Sequence, residues 1–165
     1  MKPILFHVHD GALLHTSNKQ VKVLEDFKGL KVRAPTRLGT KMVAALGATP
    51  VPMPLPQSAE AMSKGVIDGL MIPWEVVPSL KFEEIAHFHT EPPMGAPQML
   101  NVVFILAMNQ AKYDGLPPDL KKVIDANSGP DRSALVGKVF TEDGHLDGRR
   151  PKRGKIRSTR FPMPS

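Results

Sequence analysis

Cysteine is absent from the 165 residues, which removes disulfides, thiolate metal sites and cysteine nucleophiles. That absence fits a cytosolic or a bacterial periplasmic protein and does not separate them. Aromatic residues are few, with a single tryptophan and a single tyrosine. No apolar run reaches the ~18 residues that a membrane-spanning helix needs. The opening stretch MKPILFHVHDGALLH has one lysine, and His7, His9 and Asp10 break its apolar segment, so it does not read as a secretory signal. Acidic residues are missing altogether beyond Asp147.

That last absence explains the net charge of +6. Residues 149–165 hold seven of the 22 basic groups and none of the 16 acidic ones, so the first 148 residues carry 15 basic against 16 acidic, a net of −1. The body is neutral and the tail is basic, which takes away the main support for whole-protein nucleic-acid binding. The hydrophobic content of 41% and charged content of 23% indicate a globular chain. Its length suits one ordinary domain and is short for two.

Phosphate cradles are missing too. There is no G-x-G-x-x-G and no G-x-x-x-x-G-K-[ST], so neither a dinucleotide nor a Walker-type site is expected. Ser58 and Ser79 lack a nucleophile-elbow setting, and nothing marks Lys64 or Asp68 as an activated base.

What is present alternates between strand-like and helix-like segments. Strands are expected at 2–8, 30–34, 49–53, 66–72 and 99–108. Helices are expected at 21–28, 36–46 with Thr36 as N-cap, 59–64, 73–85, 117–126 and 133–140. The run MLNVVFILAM over 99–108 is almost wholly apolar and reads as a strand buried on both sides. Alternation of this kind predicts an α/β protein with a mostly parallel sheet. After about residue 144 the periodicity disappears, and the tail reads as disordered.

Arg33 stands at the end of an expected strand, ahead of Pro35 and a capped helix. Ligands of open α/β sheets bind outside the carboxyl ends of strands, and a guanidinium there grips a carboxylate through two parallel hydrogen bonds. The ordinary role of such a residue is an exposed strand-edge charge. Trp74 follows Ile72 and Pro73 at another strand end and reads either as a pocket wall or as a core aromatic. Glu75 suits the acidic first turn of a helix. The His7–His9 and His87–His89 pairs each have strand spacing compatible with a metal, but neither has a third ligand of clear spacing, and no metal or other cofactor is expected. The methionines read as core filler.

In combination, LEDFKGLKVRAPTR, ALGATPVPMP, SKGVIDGLMIPWEVVPSLKFEE and FILAMNQAKYDGLPPDLKKVIDANSG, in this order over about residues 6–140, resemble the solute-binding subunits of TRAP transporters. These are ATP-independent periplasmic systems for C4-dicarboxylates and other organic acids. The resemblance implies a periplasmic-binding-protein-like fold of two α/β lobes that close on the ligand. It implies no catalysis and a small carboxylate ligand delivered to membrane permease subunits. Arg33 maps onto the family's carboxylate-binding arginine, with Pro35 and Arg37 shaping the site beside it. Many members carry an Asn just before the proline that follows the VDG-type motif. Here that position is Ile72, followed by Pro73 and Trp74, which implies less polar recognition on that side and a tryptophan in the pocket.

The expected organisation is a partial two-lobe fold. Residues 1–98 form mainly the ligand-binding lobe with an entering strand, residues 99–144 a crossover strand and helices returning to the first lobe, and residues 145–165 a disordered basic tail. The front of the first lobe, with its signal peptide, is expected to be missing, and the tail to be out-of-frame translation. A monomer without a nucleic-acid partner is expected. The rival readings are a small hydrolase or isomerase working through His9 or Glu75, and nucleic-acid binding through the tail.

Overall fold

The computed structural model describes the backbone of residues 1–9, 11–93, 96–145 and 157–160, and side chains through residue 140. In chain order the elements are β1 (Lys2–Val8), β2 (Leu13–Thr16), β3 (Lys31–Ala34), α1 (Arg37–Ala45), β4 (Thr49–Pro52), α2 (Ser58–Ser63), β5 (Gly69–Ile72), β6 (Phe88–Glu91), β7 (Val103–Met108), α3 (Gln110–Asp114), α4 (Pro118–Ala126), α5 (Pro130–His145) and β8 (Arg157–Arg160). They divide into two compact units. One comprises β1 with the segment from β7 to α5, and the other runs from residue 11 to 101 and includes β8.

The larger unit is built on a six-stranded sheet of order β4-β3-β5-β2-β6-β8. The α/β class expected from the sequence is what is observed. The pairing is more mixed than expected, because β2 lies antiparallel to both β5 and β6, while β3 is parallel to β4 and β5, and β6 to β8. One face of the sheet carries Leu13, Leu70 and Ile72, packed with Met62 of α2 and with Trp74, Val77 and Phe82. Three of the motif residues hold the centre together. Asp68 accepts from the Lys31 backbone N–H at 2.7 Å through Oδ2, and its own N–H donates to the Lys31 carbonyl at 2.8 Å, which fixes β5 beside β3. At Gly69 a β-carbon would lie 2.7 Å from the His15 carbonyl oxygen, so the glycine allows β2 to approach. Gly29 has φ of +80°, the left-handed turn that delivers the chain into β3.

Several boundaries differ from expectation for local reasons. α1 starts as predicted, with Thr36 Oγ1 accepting from the Gly39 N–H at 3.0 Å. The expected helix over 73–85 is instead three single 3-10 turns, at Trp74–Val76, Pro78–Leu80 and Phe82–Glu84. Pro78 cannot donate an internal helical hydrogen bond, and Lys81 sits at φ 53°. The helix expected over 21–28 is likewise a 3-10 turn, Leu24–Phe27.

In the smaller unit β7 pairs antiparallel with β1, its one strand partner among the described residues. The expectation of a strand buried on both sides is wrong for β7. Val103 is 67% exposed and Leu106 56%, because a two-stranded ribbon leaves most of the strand's apolar surface uncovered among the described residues. The expectation of a structureless tail also fails at two described places: His145 ends α5, and Arg157–Arg160 forms β8 against β6. The rest of the tail, including Arg149, Arg150, Lys152, Arg153 and Lys155, lies outside the described residues. No helix among the described residues is long and apolar enough to cross a membrane.

Candidate functional site

Arg33 occupies the third position of β3, flanked in register by Val51 of β4 and Leu70 of β5. Strand alternation turns its side chain to the face that carries Leu70. The residue is only 6% exposed, and its Nε donates to the Met53 carbonyl at 3.1 Å. That bond aims the side chain toward the carboxyl ends of the three parallel strands. No carboxylate within ion-pair distance of the guanidinium is found among the described residues. Burial pushes its pKa below the ordinary arginine value, yet a guanidinium stays charged throughout the working pH range. A buried cation without a counter-charge is costly unless a partner arrives. The position therefore suits a carboxylate, which a planar guanidinium holds through paired hydrogen bonds.

Around it, Pro35 is half-buried, and Arg37, the first residue of α1, is exposed. Ile72 and Pro73 are buried at the end of β5 and deliver Trp74, which is 5% exposed. The indole N–H donates to Glu91 Oε1 at 3.1 Å. Its ring meets the His15 ring edge-on at 5.1 Å and the His89 ring at 4.8 Å, centroid to centroid.

The two histidines were not singled out as a pair by the sequence. His15 and His89 stand opposite each other on β2 and β6, both fully buried, with their Nδ1 atoms 2.6 Å apart. Burial, reinforced by the neighbouring His89, pushes the His15 pKa down to about 3, although a bond to the Ile72 carbonyl opposes the shift. Burial and the nearby His87 push His89 down to about 4. Both rings are therefore neutral at ordinary pH.

The metal-spacing pairs take other roles. His7 is stacked between Phe104 at 5.1 Å and Phe140 at 4.5 Å, and His9 packs edge-on to the same two rings. His87 is exposed while His89 is buried. No cluster of three or more His, Asp or Glu suited to a metal ion occurs among the described residues. The two residues offered for catalysis, His9 and Glu75, belong to different units.

The model of the bacterial extracellular solute-binding protein family 7 matches residues 1–132. The chain belongs to this family. The 2,3-diketo-L-gulonate-binding periplasmic protein YiaO of Escherichia coli is 30% identical to it over 135 residues, 77% of this chain and 37% of its own length. A TRAP solute binding protein from Rhodoferax ferrireducens, solved with copurified benzoate, superposes with a TM-score of 0.90 at 43% identity, covering 98% of this chain and 50% of that one. A marine metagenome TRAP solute binding protein specific for aromatic acid ligands, solved with 3-hydroxybenzoate, gives a TM-score of 0.90 at 37% identity, with the same coverage. This family 7 chain thus has the α/β fold of the TRAP solute-binding proteins and is similar to them over nearly its whole length. It spans about half the length of the solved relatives it matches.

Proposed function

We propose that this chain carries the carboxylate-gripping part of a periplasmic receptor that binds a small organic acid non-covalently and hands it to membrane permease subunits. One observation carries the reading: a buried guanidinium at the end of β3 whose counter-charge is missing among the described residues. Arg33 pairs with the acid's carboxylate, Trp74 borders the rest of the acid, and Pro35, Arg37, Ile72 and Pro73 shape the surroundings. The exclusion of water strengthens the ion pair by lowering the local dielectric.

An aromatic monocarboxylate is the ligand class that fits best. The position before Pro73 is apolar Ile72 and is followed by an indole, and the similar solved proteins hold benzoate and 3-hydroxybenzoate. This narrows the general organic-acid expectation away from C4-dicarboxylates. The protein acts as a monomer, without catalysis.

The contacts made by these residues alone set the expected affinity. A charge-assisted pair of roughly 1.5–3 kcal/mol with about 1 kcal/mol of ring contact gives a Kd of about a millimolar or weaker. Titration of benzoate into the isotopically labelled chain, followed by NMR, tests this. Binding should be lost in Arg33→Gln. Equal binding by the variant would refute the role of Arg33, and micromolar binding by the chain would refute the affinity expected from these contacts alone.

A further inference from the structure

The hydrogen bonds around His15 fix where its protons are. The Ile72 carbonyl oxygen lies 3.0 Å from His15 Nε2 and can only accept, so Nε2 carries the hydrogen. A neutral imidazole then has a bare Nδ1. The 2.6 Å contact between the two Nδ1 atoms needs one donor, and that donor is His89 Nδ1–H. His89 Nε2 is left bare, and it has no partner among the described residues. One bond to a backbone oxygen thus sets the tautomer of both rings.

Both rings lie against the indole of Trp74, and Glu91, two residues along β6 from His89, receives the indole N–H. The same Ile72 carbonyl belongs to the residue just before Pro73 and Trp74. Three strand spacings, about 14 Å at roughly 4.8 Å each, separate β3 from β6, so His89 does not share a carboxylate held by Arg33.

We propose that His15, His89 and Glu91 are positioning residues for Trp74, a tautomer-locked pair against the ring and a carboxylate at its N–H holding the indole where it borders the acid. This rests on the reading above in its last step only. The wall of the site is then set by β2 and β6, far in sequence from the segment that carries the tryptophan. The 3-10 turns around Trp74 have few internal hydrogen bonds and would not fix the ring unaided.

The experiment uses the whole chain, labelled with nitrogen-15. Long-range imidazole correlations at pH 7.5 should show His15 protonated on Nε2 and His89 on Nδ1. A His89 protonated on Nε2, or averaged between forms, overturns the lock. The Trp74 indole resonance should move in His89→Leu and Glu91→Leu. It should return toward its original position in His89→Asn, whose amide donates near the place of Nδ1, and in Glu91→Gln, whose carbonyl still accepts. An indole unmoved by both leucine variants overturns the positioning role, and if His89→Leu does not fold, Glu91→Leu decides.

Titration of benzoate and acetate supplies the functional readout. His89→Leu, or Glu91→Leu in its place, should weaken benzoate at least three-fold and leave acetate unchanged, whereas Arg33→Gln should weaken both. Equal loss of the two acids in the leucine variant counts against the inference. If Arg33→Gln binds both acids normally, the carboxylate reading fails, and the tautomer and indole measurements still judge the positioning role.

Discussion

Lowering the pH from 7.5 to 5 should destabilise the larger unit steeply, through two buried histidines. In the unfolded chain His15 and His89 titrate near the ordinary value of 6.5. In the folded chain they stay neutral until about pH 3 and about pH 4. Because the folded values are depressed, their contribution is complete above pH 6.5 and declines as the pH falls toward the folded values. At pH 5 each histidine stabilises the unfolded chain by about 2 kcal/mol, so the pair removes about 4 kcal/mol, against a typical domain stability of about 5–15 kcal/mol. The slope near pH 5 should approach that of two protons, about 3 kcal/mol per pH unit. Urea unfolding across a pH series, followed by the fluorescence of the single tryptophan, measures this directly, because Trp74 sits against both rings. His89→Asn should halve the slope. A wild-type stability that stays flat between pH 7.5 and 5, or a variant that keeps the two-proton slope, would refute the assignment of both histidines as buried and neutral.

Other outcomes follow from individual contacts. Gly69→Ala places a β-carbon 2.7 Å from the His15 carbonyl oxygen, and the forced backbone shift should cost roughly 1–3 kcal/mol; an unchanged thermal midpoint would contradict the contact. Thr36→Ala removes the acceptor of the Gly39 N–H at the start of α1 and should cost about 1 kcal/mol in denaturant unfolding, while Thr36→Ser should cost little. Leu106→Lys on β7, where Leu106 is 56% exposed, should change stability by less than about 0.5 kcal/mol and reduce light scattering at high concentration. A large destabilisation there would mean that the side chain is covered.

The local signals in the sequence marked the carboxyl end of β3, the Thr36 cap and the Pro73–Trp74 step, while the residues proposed for the site came from the family resemblance rather than from those signals. Its supporting layer was hidden. β2 and β6, LLHT and FHTE, are four residues long, and no polar side chain alternates along LLHT to reveal a strand, because all four of its residues are buried. The pairing of His15 with His89 joins positions 74 apart, a relation that no local window contains. The reverse error occurred at 99–108, where a continuous apolar run implied burial. Burial depends on what covers a strand, and among the described residues β7 is paired with β1 alone. At 73–85 the apolar spacing favoured a helix, and one proline with one left-handed lysine outweighed it.

The place of β8 at the end of the larger sheet has a practical consequence. Its neighbour β6 asks the outermost strand mainly for a row of backbone donors and acceptors, which almost any extended peptide supplies. Arg-Ser-Thr-Arg meets that demand through its backbone, with no large apolar residue in its sequence, and forms the border of the sheet among the described residues. That border is a graft point: a foreign tetrapeptide exchanged into 157–160 should be carried by main-chain pairing, so recognition sequences or reporter tags can be mounted there away from Arg33.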